Sequence, residues 1–458
     1  MKFPLTDEQL HSVLSTALSR GGEYADLFLE DTRISSLELQ DGTVSQAQQV
    51  MLYGAGIRVV QGTQTGYAYT MDLSPEAMLQ AARFAGSIQQ QSGSPCEIPM
   101  LTPTPLLTPE TPMLEPDASK SILLLIHKRS HEINPLVVRV KATIAQRMQN
   151  IKFVCSEGTG FSDHRPRTTI FLSIVMQKEG KTQMGFGSRM YQRGAEFITS
   201  ELIEELLQET VQQTLFLFDA KQIEGGEMPV VMAAGSSGIF MHEAIGHAFE
   251  ADFIRTGESI FTDKLGQRIC NPNITIVDDG TLPYDAGMLR YDDEGSPGQK
   301  TTLVNRGILT SYLHDRISAR HFGVKSTGNG RRESFRHMPL PRMRSTYMCA
   351  GEATEEDIIR SVKRGIYAQT FTNGQVQIGA GDFTFFMKKG YLIEDGQLTR
   401  PLRDMNIIGN GPQALQHISM VGNNLKIDHS AGMCGKAGQR VGVSQGLPTV
   451  LVDKLVVG

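Results

Sequence analysis

Residues 228–252 read MPVVMAAGSSGIFMHEAIGHAFEAD. The first seven, Met228–Ala234, form a short apolar run that stops at glycine, the pattern of a buried strand. Gly235-Ser236-Ser237-Gly238 then offers a turn and a hydroxyl cap for a helix beginning near Ile239. On that helix His242, Glu243 and His247 fall within six residues, flanked by apolar Ile239, Phe240, Ala248 and Phe249. Imidazole is a common zinc ligand, and a carboxylate beside the first ligand can take a proton from a water activated by the ion.

The spacing of the two histidines carries structural information. At about 100° per residue, positions four apart on an α-helix are about 40° from alignment, whereas positions five apart are about 140° away. Two ligands five apart converge only if the helix widens locally, as a π-bulge does by inserting one residue. We therefore expect a bulge or break between Ala244 and His247, with Gly246 as the residue that most easily accepts the distortion.

Outward from this segment, the chain from Glu227 onward consists of short β-like runs separated by glycine, with one further capped helix from about Thr354 to Arg364. Residues 219–458 are thus expected to form a mainly β domain carrying the metal-binding helix. The stretch Lys221–Glu227 (KQIEGGE) interrupts the apolar periodicity and marks the boundary. Before it, Thr6 and Gln9 form a capping pair for a first helix. Alternating stretches at Ala25–Asp31, Ser35–Leu39, Gln48–Val60 and Gly66–Thr70 read as an antiparallel meander, and Ser74-Pro75-Glu76 opens a second helix. Gly54-Ala55-Gly56 begins a dinucleotide-like pattern but lacks the helix that such a site requires. Seven of the 20 prolines lie between Pro95 and Pro116, so residues of about 92–116 read as a connector. A helix over Ala118–Ile133, strands at Leu136–Ile144, Ile151–Ser156 and Arg167–Met176, and a helix from about Ser200 to Phe218 follow. This order echoes the first 90 residues and suggests an internal duplication within an N-terminal domain spanning 1–218. The expected class is α+β, and 458 residues suffice for two cores.

Composition narrows the function classes. Hydrophobic residues make up 40% and charged residues 20%, as in an ordinary globular protein. No cationic and apolar leader opens the sequence, and no apolar run reaches the roughly 18 residues of a membrane span. Cys96, Cys155, Cys270, Cys349 and Cys434 are odd in number and widely spaced, which suits a reducing compartment; the expected location is cytoplasmic, without membrane contact. A formal net charge of -5 gives no footprint for nucleic acid.

Four stretches carry a resemblance to a known family. HEAIGHAFEAD (His242–Asp252), DDEGSPGQKT (Asp292–Thr301), MPLPRMRSTYM (Met338–Met348) and MCGKAGQRVGVSQGLPTV (Met433–Val450) resemble, in this order, blocks of the TldD/PmbA family, also called modulators of DNA gyrase. The meander fits the family's first domain, so the resemblance covers nearly the whole chain. It implies a zinc peptidase acting on unstructured peptides, with two imidazoles and a downstream cysteine, here Cys434, as ligands. Two histidines and one cysteine leave a fourth position for water. Nearby Lys436 would favour the thiolate, while Glu250 and Asp252 compete for the third-ligand role or support the ligands from behind. Because His242, Glu243, His247 and Cys434 are all present, the chain resembles the catalytic TldD type. The resemblance further implies a homodimer or a heterodimer with a PmbA/TldE-like paralogue.

The reading that follows is a zinc-dependent endo- or oligopeptidase in which Glu243 is the general base. Arg331, Arg332 and Arg342, in the basic concentration that also includes Arg336 and Arg344, are candidates for holding a substrate carboxylate or oxyanion. Tyr347, His337 and His429 are further candidate donors. The competing reading is a non-hydrolytic peptide-binding regulatory subunit with a structural metal, which four protein ligands would favour.

Overall fold

The computed structural model describes residues 3–87, 98–101 and 106–458. Thr6 starts the first helix, α1 (Asp7–Ala17). Its Oγ1 accepts from the Gln9 amide while Gln9 Oε1 accepts from the Thr6 amide, so two otherwise orphaned donors are satisfied reciprocally. There follow β1 (Tyr24–Gln40), β2 (Thr43–Gln61), β3 (Gln64–Thr70), α2 (Pro75–Gly86), α3 (Pro116–Ile133), β4 (Val137–Cys155), β5 (Gly160–Lys178), β6 (Lys181–Tyr191) and α4 (Ser200–Asp219). The six strands make one antiparallel sheet in the order β3-β2-β1-β4-β5-β6. A helix, three strands and a helix therefore occur twice, and the first strand of each set pairs with the other at the centre. Each set buries its own apolar cluster, α1 and α2 over Leu27, Leu29, Ile57 and Val59, and α3 and α4 over Val140, Ile170, Leu172 and Ile174.

Three expectations are corrected here. Ala25–Asp31 and Ser35–Leu39 are parts of one continuous strand, β1. The stretches Leu136–Ile144 and Ile151–Ser156 belong to a single strand, β4, because the polar residues between them are covered: Gln146 and Gln149 are buried and hydrogen-bonded to Thr168 and Glu30. Strand β6, with few β-branched residues, was not foreseen. Cys96 and most of the proline-rich connector lie outside the described residues.

The second half contains β7 (Gly226–Met232), β8 (Ile276–Asp279), β9 (Lys300–Asn305), β10 (Ile308–Leu309), β11 (Gly330–Arg331), β12 (Leu340–Pro341), β13 (Ser345–Met348), β14 (Arg364–Val376), β15 (Asp382–Glu394), β16 (Gln397–Asn410), β17 (Ile418–Val421), β18 (Lys426–Lys436), β19 (Gln439–Leu447) and β20 (Val450–Val457). They form two mixed six-stranded sheets, β16-β15-β14-β7-β20-β17 and β10-β9-β8-β13-β19-β18, and the small pair β11-β12. The histidine segment belongs to the core of this half, where Phe240, Met241 and Ile245 share one apolar cluster with Val230, Phe383, Phe385 and Leu415. The whole is an α+β fold, and no helix among the described residues is long and apolar enough to cross a membrane.

The two halves meet on the stretch Gly330–Arg336. Phe335 is fully buried, its amide donates to Glu30 Oε2 at 2.7 Å, and its carbonyl accepts from Tyr67 Oη at 2.6 Å. A Cβ at Gly54 would lie 2.5 Å from the Phe335 ring, and one at Gly56 2.5 Å from its carbonyl oxygen. Those β2 glycines thus make room for Phe335. Beside it, buried Arg58 pairs with Asp26 from its own sheet and with Glu294 from the second half, each at 2.5 Å.

Candidate metal centre

The chain from β7 turns at Gly235, which has a positive φ of 96°, through a single 3-10 turn at Ser236–Gly238. No side chain caps the helix that follows, contrary to expectation; Ser236 Oγ donates instead to the Gln369 carbonyl of β14 at 3.2 Å. Phe240–Gly246 is a π-helix, and the His247 amide donates to the His242 carbonyl five residues back. This widening is what the histidine spacing required. It brings the two rings to a centroid separation of 4.9 Å at 81°. Gly246 itself has ordinary helical dihedrals (φ -63°, ψ -46°). The expected reason for a glycine is therefore replaced by a packing one: a Cβ there would lie 2.0 Å from Met343 Sδ.

The sulfur arrives on the β18–β19 hairpin. Lys436 pairs with Gln439 across a two-residue turn, Ala437-Gly438, with φ of 49° and 74°. Two left-handed residues give the turn type whose twist matches the flanking strands. Two residues before Lys436, Cys434 is buried with Sγ 3.4 Å from His247 Nε2. Arg342, itself fully buried, donates from Nη2 to the Cys434 carbonyl at 2.6 Å and holds the strand from behind. His242, His247 and Cys434 offer donor atoms that all lie within 4.8 Å of one another.

A layer of charge surrounds the donors. His247 Nδ1 is 3.0 Å from Glu250 Oε2, and Lys436 Nζ is 3.0 Å from the same oxygen and 2.7 Å from Asp252 Oδ1. Burial pushes the Glu250 carboxyl up, but Lys436 and His247 outweigh it and hold it at about 2. Burial alone would raise the Cys434 thiol too; His242, with help from His247, brings it down to about 4. His247 is raised well above the ordinary imidazole range, because Glu250 and Cys434 overcome its burial. The structure revises two roles. Glu250 and Asp252 face Lys436 and, for Glu250, His247 Nδ1, and are not among the three converging donors. The ammonium of Lys436 goes to those carboxylates and to the Pro341 carbonyl, so the imidazoles, not Lys436, are the main influences lowering the thiol.

The donor set suits zinc. Ligand bonds of about 2.3 Å to sulfur and about 2.0 Å to nitrogen in a tetrahedron place the two donors about 3.5 Å apart, close to the Sγ to Nε2 separation of 3.4 Å. A ring nitrogen of His242, Nδ1, is buried without a hydrogen-bond partner. Glu243 is half-buried and borders a cleft of about 520 Å³ together with His247, Phe253, Gly374–Val376, Ile378 and Gly435–Ala437. Most of these cleft residues were missed in the sequence, since they form no motif and come together only through the ends of β14 and β18.

None of the other six candidates lines this cleft. Arg331 donates to the carbonyls of Met343 and Gly442, and Arg332 to the carbonyl of Asp293 and to Asp26. Tyr347 Oη donates to Asp279, His337 bonds Ser334, and His429 lies 3.7 Å from Asp285. Of this basic concentration, Arg332 bridges to the N-terminal half through Asp26, Arg331, Arg342 and Arg344 are buried among partners of the second half, and Arg336 is exposed. Arg342 alone of these reaches the centre, through the Cys434 backbone.

Comparison with known proteins bears on this geometry. Residues 225–458 match the family model described as "PmbA/TldA metallopeptidase C-terminal domain", and residues 25–88 match "PmbA/TldA metallopeptidase domain 1". The chain belongs to the TldD/PmbA metallopeptidase family. Among members of this family, a Haemophilus influenzae protein named "Metalloprotease TldD homolog" is 35% identical over 468 residues, covering 99% of this chain and 96% of that one. A Saccharolobus solfataricus protein named "Zinc metalloprotease TldD homolog" is 36% identical over 236 residues, 51% of this chain and 52% of its own. In fold, the crystal structure of TldE from Thermococcus kodakarensis superposes with a TM-score of 0.74 at 19% identity, covering 98% of this chain and all of that one.

Proposed function

We propose that the protein is a zinc-dependent endo- or oligopeptidase that hydrolyses unstructured peptides or unfolded protein segments, with His242, His247 and Cys434 as metal ligands and Glu243 as general base. The observation that carries this reading is the meeting of two imidazoles and a thiol beside an open cleft that Glu243 borders. Three protein ligands leave a coordination position for water, whereas a structural zinc is closed by four, so the donor count favours a peptidase over a non-hydrolytic regulatory subunit. When bound, zinc supplies Lewis-acid polarisation of a carbonyl and lowers the pKa of water toward about 7. Glu243 takes the proton of the attacking water and hands it to the leaving amine. Glu250 fixes the orientation of His247 through Nδ1, which leaves Nε2 facing Cys434 Sγ, where it would hold the metal. A substrate lies extended along Gly374–Val376 and Gly435–Ala437, whose backbone groups recognise any unfolded segment irrespective of its side chains.

To the same proposal belong a division into an N-terminal domain of residues 1–218 and a catalytic domain of 219–458, a cytoplasmic location, and assembly as a homodimer or with a TldE-like paralogue. The separate sheets on either side of residue 219 support the division.

The decisive experiment compares the wild type with Glu243→Gln, measuring zinc content and hydrolysis of a disordered peptide. Equal zinc with a rate lowered about 10²–10⁴-fold is expected. Equal turnover by the two proteins would remove Glu243 from its role, and a stably folded domain cut as fast as the disordered peptide would remove the substrate class.

A further inference from the structure

We infer that the joint between the N-terminal sheet and the second half holds a binding site for one small tetrahedral oxyanion, of the class of inorganic phosphate or sulfate, apart from the metal cleft. A cavity of about 50 Å³ there is lined by Arg147, Arg165, Arg167, Arg331, Arg332 and Arg440. It shares no lining residue with the cleft beside His247. The carboxylates among its walls are Asp293 and Glu333, so positive charge is in excess.

The hydrogen bonds locate that excess. Arg165 is matched by Asp163 and Asp293, and Arg147 by Glu30. Arg332 faces Asp26 at 3.4 Å but keeps Nε buried without a partner. Arg331 is buried and bonds two backbone carbonyls, Met343 and Gly442, with no carboxylate in ion-pair contact among the described residues. The Arg167 side chain makes no hydrogen bond and no ion pair with a described residue, Glu333 being the nearby carboxylate. Its guanidinium lies against Gly442, where a Cβ would come within 2.8 Å of Nη1. Arg440 uses its backbone amide for Glu333 Oε2 and has no carboxylate partner for its side chain among the described residues.

Several guanidinium groups crowded into one space need compensation, and their planar fork of donors suits the oxygens of phosphate or sulfate. Burial, with the neighbouring Arg147 and Arg331 adding to it, lowers Arg167 to about 9 against the opposing pull of Glu333, and burial lowers Arg331 to about 10 against that of Asp293. One water requires roughly 10–15 Å³, so the space of about 50 Å³ between these side chains has room for several waters or one tetrahedral ion.

Thermal unfolding of the zinc-loaded full chain tests the inference, with phosphate or sulfate added and chloride as the control at equal ionic strength. Wild type should gain about 2–5 °C at saturating phosphate, and sulfate should act alike. Arg167→Gln should lose the response, and in anion-free buffer it should melt no lower than wild type, because it sheds a repelled charge. Arg440→Gln, at the exposed rim, should weaken the apparent phosphate affinity about 3–10-fold. An unchanged wild type, an equal response in Arg167→Gln, or a response to acetate with none to phosphate would overturn the assignment. So would a large loss of stability in Arg167→Gln without anion, since that would mean the side chain already has a structural partner.

Discussion

At Gly246 a missing side chain keeps the metal segment seated. Gly246→Ala drives a Cβ into Met343 Sδ, and overpacking of this kind costs about 1–3 kcal/mol. We expect a lower unfolding midpoint in urea, partly restored in the double variant with Met343→Ala. Glu250 is a second point of leverage. Glu250→Gln should weaken zinc binding about 10–100-fold, measured by competition with a chelator. Its carboxyl, ordinarily near 4.5, is held at about 2, so its contribution to stability is complete above about pH 4.5 and lost as the pH falls through about 2. The stability gap between chelated wild type and Glu250→Gln should therefore be widest near about pH 6 and narrow by about pH 3. The histidines and Glu243 were legible because they are close in sequence and chemically distinctive. Cys434 was found only through resemblance, since a sulfur 187 positions from its imidazole partner leaves no local trace. The arginines misled for a related reason: Arg332 faces Asp26 across 306 positions, and Arg331 and Arg342 hold backbone carbonyls of distant strands, so side chains that read as a surface for substrate are buried packing partners.

Among the elements, the β18–β19 hairpin sets the reach of the thiol. Ala437 sits at φ 49°, a conformation that suits asparagine better than alanine. Ala437→Asn should stabilise the protein by about 0.5–1 kcal/mol with unchanged zinc content, whereas the β-branched Ala437→Val should lower both the unfolding midpoint and zinc affinity. The π-helix was the most predictable element of the second half, because five-residue spacing and convergence are incompatible in a regular helix. Strand β6 and the fusion of two stretches into β4 were not predictable from alternation. In β4 the polar Gln146 and Gln149 are covered by partners within the same sheet, and β6 is mostly exposed or half-buried with a single β-branched residue, neither of which period-2 patterning registers.

Over the whole molecule, the α+β class and the repeated order of helix, strands and helix followed from local patterns, while the number of strands in each set and the docking of the halves did not. That docking includes Phe335, Arg58 between Asp26 and Glu294, and Arg165 against Asp293. Removing Arg58 takes the shortest ion-pair partner from two buried carboxylates, leaving Asp26 only Arg332 at 3.4 Å, and Arg58→Ala should cost about 3–5 kcal/mol. Phe335→Ala should cost a similar amount through the cavity it opens. Limited proteolysis should then cut both variants near residue 219 faster than wild type. The arrangement of β7 and β20 has its own corollary. They are neighbours in the middle of a sheet, yet one is made near the midpoint of synthesis and the other after Cys434. In a half-finished polypeptide β7 lacks both of its neighbours, β14 and β20, and the histidines lack their sulfur, so such a chain has the N-terminal sheet but no assembled hydrolytic machinery.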